Sequence, residues 1–138
     1  MTPVLDYAKI TDARRQLKDV YDTASANISV VIRRDFDEPV ALLPKDSILR
    51  ALRALVPLDP EVRFDEDGHV YVWLPGLPIS ADDADFDGAI GSLVAALRDY
   101  ADEWVDDLRH FRNHEANWGL VNLVLLSSDD ELVAHLVG

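Results

Sequence analysis

The feature that most limits the fold is an uninterrupted helical period in the second half of the chain. Apolar residues recur there every three or four positions: Phe86, Ile90, Leu93, Val94, Leu97, Tyr100, Ala101, Trp104, Leu108 and Phe111. The opposite positions carry Asp99, Asp102, Asp106 and Asp107. This spacing predicts one long amphipathic helix from about Asp83 or Asp85 to Phe111. Four aspartates cluster at its start, namely Asp82, Asp83, Asp85 and Asp87, because the positive end of the helix dipole favours carboxylates.

The segments around this helix predict a hairpin before it and a short helix after it. Residues 62–64 and 69–74 flank an Asp-Gly turn, which favours tight strand reversal. Residues 119–126 are too apolar for the surface, and periodicity leaves open whether they form a strand or a helix. Ser128 and Glu131 have the spacing of a capping box, which predicts a last helix containing Leu132, Val133, Leu136 and Val137.

The first part of the chain predicts the order β-α-β-β-α. A short strand is expected at residues 4–7, and a helix at about 12–24 with an apolar face of Ile10, Ala13, Leu17, Val20 and Ala24. Residues 28–34 and 39–43 predict two strands joined by an acidic turn, and Pro44 opens a second helix that ends near Leu55. Two prolines at 57 and 60 then mark a linker. The fold class is therefore α+β.

Charge divides the chain at the same linker. Residues 1–58 carry nine basic and eight acidic side chains, whereas residues 59–138 carry four arginines and eighteen acids. The second part would repel nucleic acid, so only the first part could bind it. The chain has no cysteine, which excludes disulfides and thiolate chemistry and fits a reducing cytoplasm. No apolar run is long enough for a membrane span, and no signal peptide is visible.

No set of residues predicts catalysis. His110 and His114 are spaced as a metal pair one turn after Asp106 and Asp107, but the polar end of a helix is the favoured reading. His69 and His135 are expected at the surface, and no phosphate-binding loop is present. We therefore expect neither a catalytic residue nor a metal or cofactor site. The chain is predicted to be an intracellular, non-catalytic binding protein.

A basic cluster on the first predicted helix is the leading candidate for nucleic-acid contact. Arg14, Arg15 and Lys18 lie off its apolar face, and such side chains can reach phosphates or guanine edges. A solvated helix face is the alternative.

Two sequence blocks in this part resemble the Phd/YefM-type, or prevent-host-death, antitoxins. Residues 10–17 resemble the start "S-E-A-R-x-x-L" of that family, and residues 31–34 with 39–44 resemble its stretch "I-T-R-x-G-x-P-V-A-V-L-V". The likeness covers about residues 3–55. The turn at residues 35–38 departs from the family because it is longer and acidic, so we expect no nucleic-acid contact from it.

The resemblance implies a homodimer that binds operator DNA, represses its own operon and neutralises a toxin, often of the RelE type. Carried over by position, Arg14 and Arg15 would face DNA, with Lys9, Lys18 and Arg33 as weaker candidates.

Residues 62–74, the turn at residues 75–78 and the helix after Asp83 are similar to the HicB antitoxin core, which has strand, strand, "L-P-G" and an acidic helix ending near "Y". Residues 113–121 resemble a block of actinobacterial prevent-host-death proteins with long C-terminal regions, and the sequence assigns that block no chemistry. Anchoring of a loop to the core through Trp118 and Leu120 is the favoured structural reading.

These observations predict two domains and a cytoplasmic antitoxin. Residues 1–56 would form the dimerisation and DNA-binding domain, and residues 57–138 an acidic hairpin-helix domain that binds the toxin. The predicted toxin-binding residues are Trp104, Leu108, Phe111, Asp106 and Asp107. Deletion of residues 113–138 is expected to abolish neutralisation. The alternative function is a stand-alone dimeric regulatory or structural protein without a toxin.

Overall fold

The computed structural model describes residues 5–138 and divides the chain into two compact units, Met1–Arg50 and Ala51–Gly138. The boundary between the units lies inside a helix, six residues before the domain boundary expected from the sequence. Val4, the first residue of the predicted N-terminal strand, lies outside the described residues.

The first unit contains a three-stranded mixed sheet. Its elements are β1 (Leu5–Tyr7), α1 (Ile10–Arg15), α2 (Leu17–Ser25), β2 (Val30–Ile32), β3 (Val40–Leu42) and α3 (Lys45–Leu55), the last of which continues into the second unit. Central β2 pairs in parallel with β1 and antiparallel with β3. Ala13, Val20 and Val30 form the small core, because one apolar side of each helix meets the central strand.

The predicted single helix over residues 12–24 is wrong, because the chain leaves helical geometry at Gln16. This residue has ψ near 30°, which separates α1 from α2. Leu17, expected on the buried face, is consequently exposed, while Val20 remains buried. The spacing of apolar residues therefore predicted that this segment is helical, but it did not predict the interruption at Gln16.

The second unit layers one long helix between an antiparallel sheet and two shorter helices. The sheet runs β4 (Glu61–Phe64), β5 (Val70–Trp73) and β6 (Ser80–Asp83) in that order. After it come α4 (Phe86–Asp106), α5 (Arg112–Glu115), α6 (Trp118–Leu126) and α7 (Asp129–Val137). Helix α4 packs on β5 and β6 with one side and on α6 and α7 with another.

This arrangement buries most of the apolar side chains that recur with helical spacing along α4. Its buried residues are Ala89, Ile90, Leu93, Val94, Leu97, Tyr100 and Ala101. From α6 and α7, Leu123 and Leu132 are fully buried against the rest of the core. The Ser128 hydroxyl oxygen accepts a bond from the Glu131 amide, and the Glu131 carboxylate accepts one from the Ser128 amide, so the predicted capping box is present.

Three sequence expectations for this unit need correction, and one open alternative is resolved. Asp82 and Asp83 belong to a third strand rather than to the start of the helix, because β6 pairs with the open edge of β5. The long helix ends at Asp106, since Asp107 has φ −146°, and a 3₁₀ turn follows at Leu108–His110. The polar loop predicted after it contains the short helix α5. The ambiguous segment 119–126 is helical.

Candidate nucleic-acid and partner-binding surfaces

Arg14 and Arg15 occupy the last turn of α1, where a helix end favours cations. Both side chains are exposed, and neither forms an ion pair within residues 5–138. Lys9, the residue at the N-terminal end of α1, is also exposed and unpaired within the same span. These three cations can reach an anion without first breaking an internal contact.

Two other residues predicted to contact DNA already form ion pairs within the first unit. Lys18 pairs with Asp22 one turn later at 3.3 Å. Arg33 makes a two-pronged contact with Asp6, with Nε and Nη2 donating to its two carboxylate oxygens at 2.8 and 2.9 Å. Hydrogen bonding from Arg33 lowers the pKa of Asp6, and the Asp6 carboxylate raises the pKa of Arg33. Arg33 therefore links the residue that follows β2 to the middle of β1.

The first unit also leaves an apolar surface open. Strand β3 is exposed along its length, including Val40 and Leu42. Leu42 and Leu43 join Leu17 and Tyr21 in lining a depression of about 410 Å³. So much exposed apolar surface on a small unit is typical of an interaction site.

The predicted toxin-binding residues at the end of α4 fall into two groups. Trp104 is half-buried, and its indole Nε1 donates to the backbone oxygen of His114 at 2.8 Å. Leu108 is also half-buried. Phe111, in contrast, is 49% exposed, and Asp106 and Asp107 are exposed. Phe111 and the two aspartates remain available to a partner, whereas Trp104 is used within the fold.

A contact network explains the block around residues 113–121, to which the sequence assigned no chemistry. The Tyr100 hydroxyl lies 2.8 Å from His114 Nδ1 and accepts a bond from Asn117 Nδ2 at 2.8 Å. Together with the bond from Trp104 to the His114 backbone, these bonds hold the segment that follows α4 against that helix. His114 is half-buried in this network rather than paired with His110.

The other histidines also make specific contacts. His69, expected to be exposed, is half-buried and lies 2.6 Å from the Asp82 carboxylate, which raises its pKa. His135, expected at the surface, is half-buried, and its Nε2 lies 3.0 Å from the Val56 carbonyl oxygen. Across residues 5–138, no three His, Asp or Glu side chains come together in a way that could hold a metal ion. Within the same span, no helix is long and apolar enough to cross a bilayer.

One concavity of the second unit was not predicted. It measures about 460 Å³ and lies between the chain that follows α3 and the start of α6. Leu55 and Trp118, which is 53% exposed, contribute to its mainly apolar walls. A Cβ atom on Gly119 would lie 3.2 Å from the side chain of Val56, so the glycine permits the close approach of the two walls. In the sequence, the only sign of this concavity was the pair of an aromatic residue and a glycine at Trp118 and Gly119.

Two charge-distinct α+β units with exposed basic and apolar surfaces suit an interaction protein, and comparison with known proteins identifies its family. Residues 4–137 match the PHD-like family model, described as antitoxin of toxin-antitoxin, RelE/RelB, TA system. The chain belongs to this family and is an antitoxin of a toxin–antitoxin system. Membership implies a cognate toxin, with RelE the type that the family description names.

The fold has a solved counterpart. A crystal structure from Syntrophomonas wolfei subsp. wolfei, described as an antitoxin part of a proposed toxin/antitoxin system, superposes with a TM-score of 0.79. The two chains are 19% identical, and the match covers 96% of each. At this identity the likeness concerns the fold. No curated protein matches the chain.

Proposed function

We propose that this antitoxin neutralises a RelE-like toxin by direct binding through its second unit and represses its own operon by binding DNA through its first. The observation that supports this division most directly is the charge of the two units. Met1–Arg50 holds eight basic and eight acidic residues, whereas Ala51–Gly138 holds five arginines and eighteen acids. DNA and a basic toxin would therefore favour different units.

The DNA contact is proposed to centre on Arg14 and Arg15, with Lys9 close in sequence. Their exposure and lack of an ion partner within residues 5–138 support this choice over Lys18 and Arg33. Contacts of this kind go mainly to phosphates, so they set affinity more than sequence preference. The acidic second unit would keep the overall affinity for DNA modest.

Substitution of both arginines tests this contact. Arg14→Ala with Arg15→Ala should weaken binding to operator and random DNA alike and flatten the salt dependence by about one to two units of slope. The matched control is Lys45→Ala with Arg50→Ala, which removes the same charge from two other exposed cations. Binding measured by fluorescence anisotropy at several salt concentrations compares the pairs. Equal losses in both variants would mean that net charge, rather than this surface, governs binding.

A homodimer is proposed to form through the first unit. Its core contains few buried residues, and the exposed apolar positions on α2 and β3 would gain most from a second copy. Light scattering at micromolar concentration should show a mass near twice the 15.4 kDa of one chain. Leu42→Lys should shift the protein toward the monomer, and a monomeric wild-type protein would contradict the proposal.

The toxin is proposed to contact the acidic second unit, including the exposed end of α4. Complementary charge would speed encounter, while exposed apolar side chains such as Phe111 would supply affinity. Deletion of residues 113–138 does not test toxin binding specifically, because α6 and α7 contribute buried core residues such as Leu123 and Leu132. The deletion would unfold the unit rather than remove a surface.

Co-expression with the product of the adjacent gene provides the clean test. The two proteins should co-purify in fixed stoichiometry, and the antitoxin should restore growth that the partner inhibits. Phe111→Ser with Asp106→Asn should weaken both results, whereas the exposed Leu125→Ser should leave them unchanged. If no adjacent product inhibits growth or binds, the stand-alone regulatory dimer is the better description.

A further inference from the structure

The inner face of the second sheet extends beyond the helix that covers it. In the antiparallel register, Val62 lies opposite Val72 and Phe64 opposite Val70. Residues opposite each other point to the same face of a sheet. The two β5 valines are buried, with 0% and 2% exposed, but Val62 is 37% and Phe64 64% exposed. The core-facing side of β4 is therefore an apolar strip left open to solvent.

The backbone N–H and C=O groups of Val62 and Phe64 point away from β5, toward the open edge of the sheet. The Asp65 amide donates to the His69 carbonyl at 3.0 Å, which makes these two residues a hydrogen-bonded pair. Such pairs alternate along an antiparallel ladder, so Arg63 and Glu61 direct their backbone groups toward β5. Val62 and Phe64 direct theirs outward. Within the described chain β4 pairs with β5 alone, so these outward groups meet no further strand.

The charge around this edge selects for a basic partner. Of residues 59–67, five are acidic, namely Asp59, Glu61, Asp65, Glu66 and Asp67, and only Arg63 is basic. The Arg63 guanidinium lies 4.7 Å from the centre of the Tyr71 ring, its cross-strand neighbour. Glu61 and Asp65 share with Arg63 the face opposite Val62 and Phe64, so the two acids outnumber this cation there, and Glu66 and Asp67 add negative charge in the turn at the end of the strand.

We propose that β4 is a docking edge for an extended basic segment of the partner, which adds as a fourth strand beside it. Backbone groups of Val62 and Phe64 would pair with the incoming strand, and its apolar side chains would cover their side chains. Lysine or arginine residues of that segment would lie beside the acids of residues 59–67. That this partner is the toxin rests on the function proposed above, but the chemistry of the edge does not.

A second copy of this chain fits the edge less well. In an antiparallel pairing of two β4 edges, the acidic turn of each copy would lie beside Asp59 and Glu61 of the other, within units that each carry eighteen acids and five arginines. Like charges placed directly opposite each other destabilise strand pairing. Complementary charge therefore favours a basic strand over self-association.

A synthetic peptide of alternating lysine and valine probes the edge without any toxin. Added to the isotope-labelled full chain at low salt, it should shift the amide resonances of Val62 and Phe64 and slow their hydrogen exchange. A peptide of alternating glutamate and valine should not do so. Equal response to both peptides, or no response at either residue, would overturn the proposal.

A pair of variants isolates the backbone contribution. Val62→Pro removes the outward N–H while leaving the β4–β5 ladder, and Val62→Ala keeps that N–H with a similarly reduced side chain. The proline variant should bind the lysine peptide about three- to tenfold more weakly than the alanine variant, the loss expected for one hydrogen bond. Leu125→Ser, an exposed apolar change on α6, should bind like the wild type. Equal affinities for the two Val62 variants would overturn strand addition.

Two further measurements separate this proposal from its rivals. Spectral changes at β4 on concentrating the protein alone would assign the edge to self-association and overturn the proposal. In a purified complex with the toxin, exchange at Val62 and Phe64 should slow, and unchanged exchange there would overturn the assignment to the toxin. Absence of any toxin complex would instead count against the proposed function, while the peptide result would still decide the chemistry of the edge.

Discussion

Arg98 is expected to be the most important single polar side chain for the stability of the second unit. Its guanidinium on α4 donates to the carbonyl oxygens of Val124 and Ser127, with the Ser127 bond at 2.7 Å. The same group contacts the Asp129 carboxylate at 2.8 and 3.0 Å. Carbonyls at the end of a helix have no partner within it, and here Arg98 supplies one at the corner between α6 and α7.

The expected cost of Arg98→Ala follows from these contacts. A hydrogen bond to a charged group contributes about 1.5–3 kcal/mol, and the variant loses two such bonds to carbonyls. The side chain is 34% exposed, so water would replace part of the loss. We therefore expect the free energy of unfolding to fall by about 2–3 kcal/mol.

Asp129→Asn supplies the comparison that separates the carbonyl contacts from the ion pair. The Asp129 side chain is 74% exposed, so loss of its charge should cost at most about 1 kcal/mol. Urea unfolding followed by tryptophan fluorescence measures both variants, since all three tryptophans lie within Ala51–Gly138. A loss below about 0.5 kcal/mol for Arg98→Ala, or an equal loss for Asp129→Asn, would refute the reasoning.

Three further substitutions test the local contacts of the second unit. Ser128→Ala removes the capping box of α7 and should lower the unfolding free energy by about 1 kcal/mol, measured by urea unfolding; no change would contradict the cap. Tyr100→Phe removes the hydroxyl that joins the post-α4 segment and should increase hydrogen exchange at His114 more than in the rest of the unit. The pKa of His69, measured by NMR, should lie above its ordinary 6.5 and fall in Asp82→Asn, because that carboxylate stabilises the charged imidazole. The resulting stabilisation should be present below pH 6.5 and lost as pH rises through the native pKa, and a pKa unaffected by Asp82→Asn would contradict the pairing.

Sequence patterns established most of the local structure because the relevant signals lie within a few residues of one another. The three- and four-residue period predicted α4, and its caps show why the exact bounds differ: Asp85 accepts the Gly88 amide at the start, and Asp107 leaves helical geometry at the end. The spacing of Ser128 and Glu131 predicted the start of α7. The two antitoxin-like blocks predicted an antitoxin, and the family comparison confirms that coarser statement, whereas the Phd/YefM type stays a prediction.

Other features depended on partners distant in the chain, and the sequence could not specify them. Segment 119–126 is apolar except for Asn122, so it shows no helical period, and its helix packs on α4. Residues 80–83 have little intrinsic preference for a strand, and they form β6 because β5 offers an unpaired edge.

The functional surfaces show the same division. Sequence by itself identified the exposed arginines of α1 and the acidity of the second part, because charge is a property of each residue. Only the tertiary structure distinguished Arg14 and Arg15, which have no ion partner in the part of the chain that the structure describes, from Arg33, which is bound to Asp6. It also revealed Phe64 on an uncovered strand edge. The physical reason is that exposure and pairing depend on which distant residues come within contact distance, and the packing of the folded chain alone decides that.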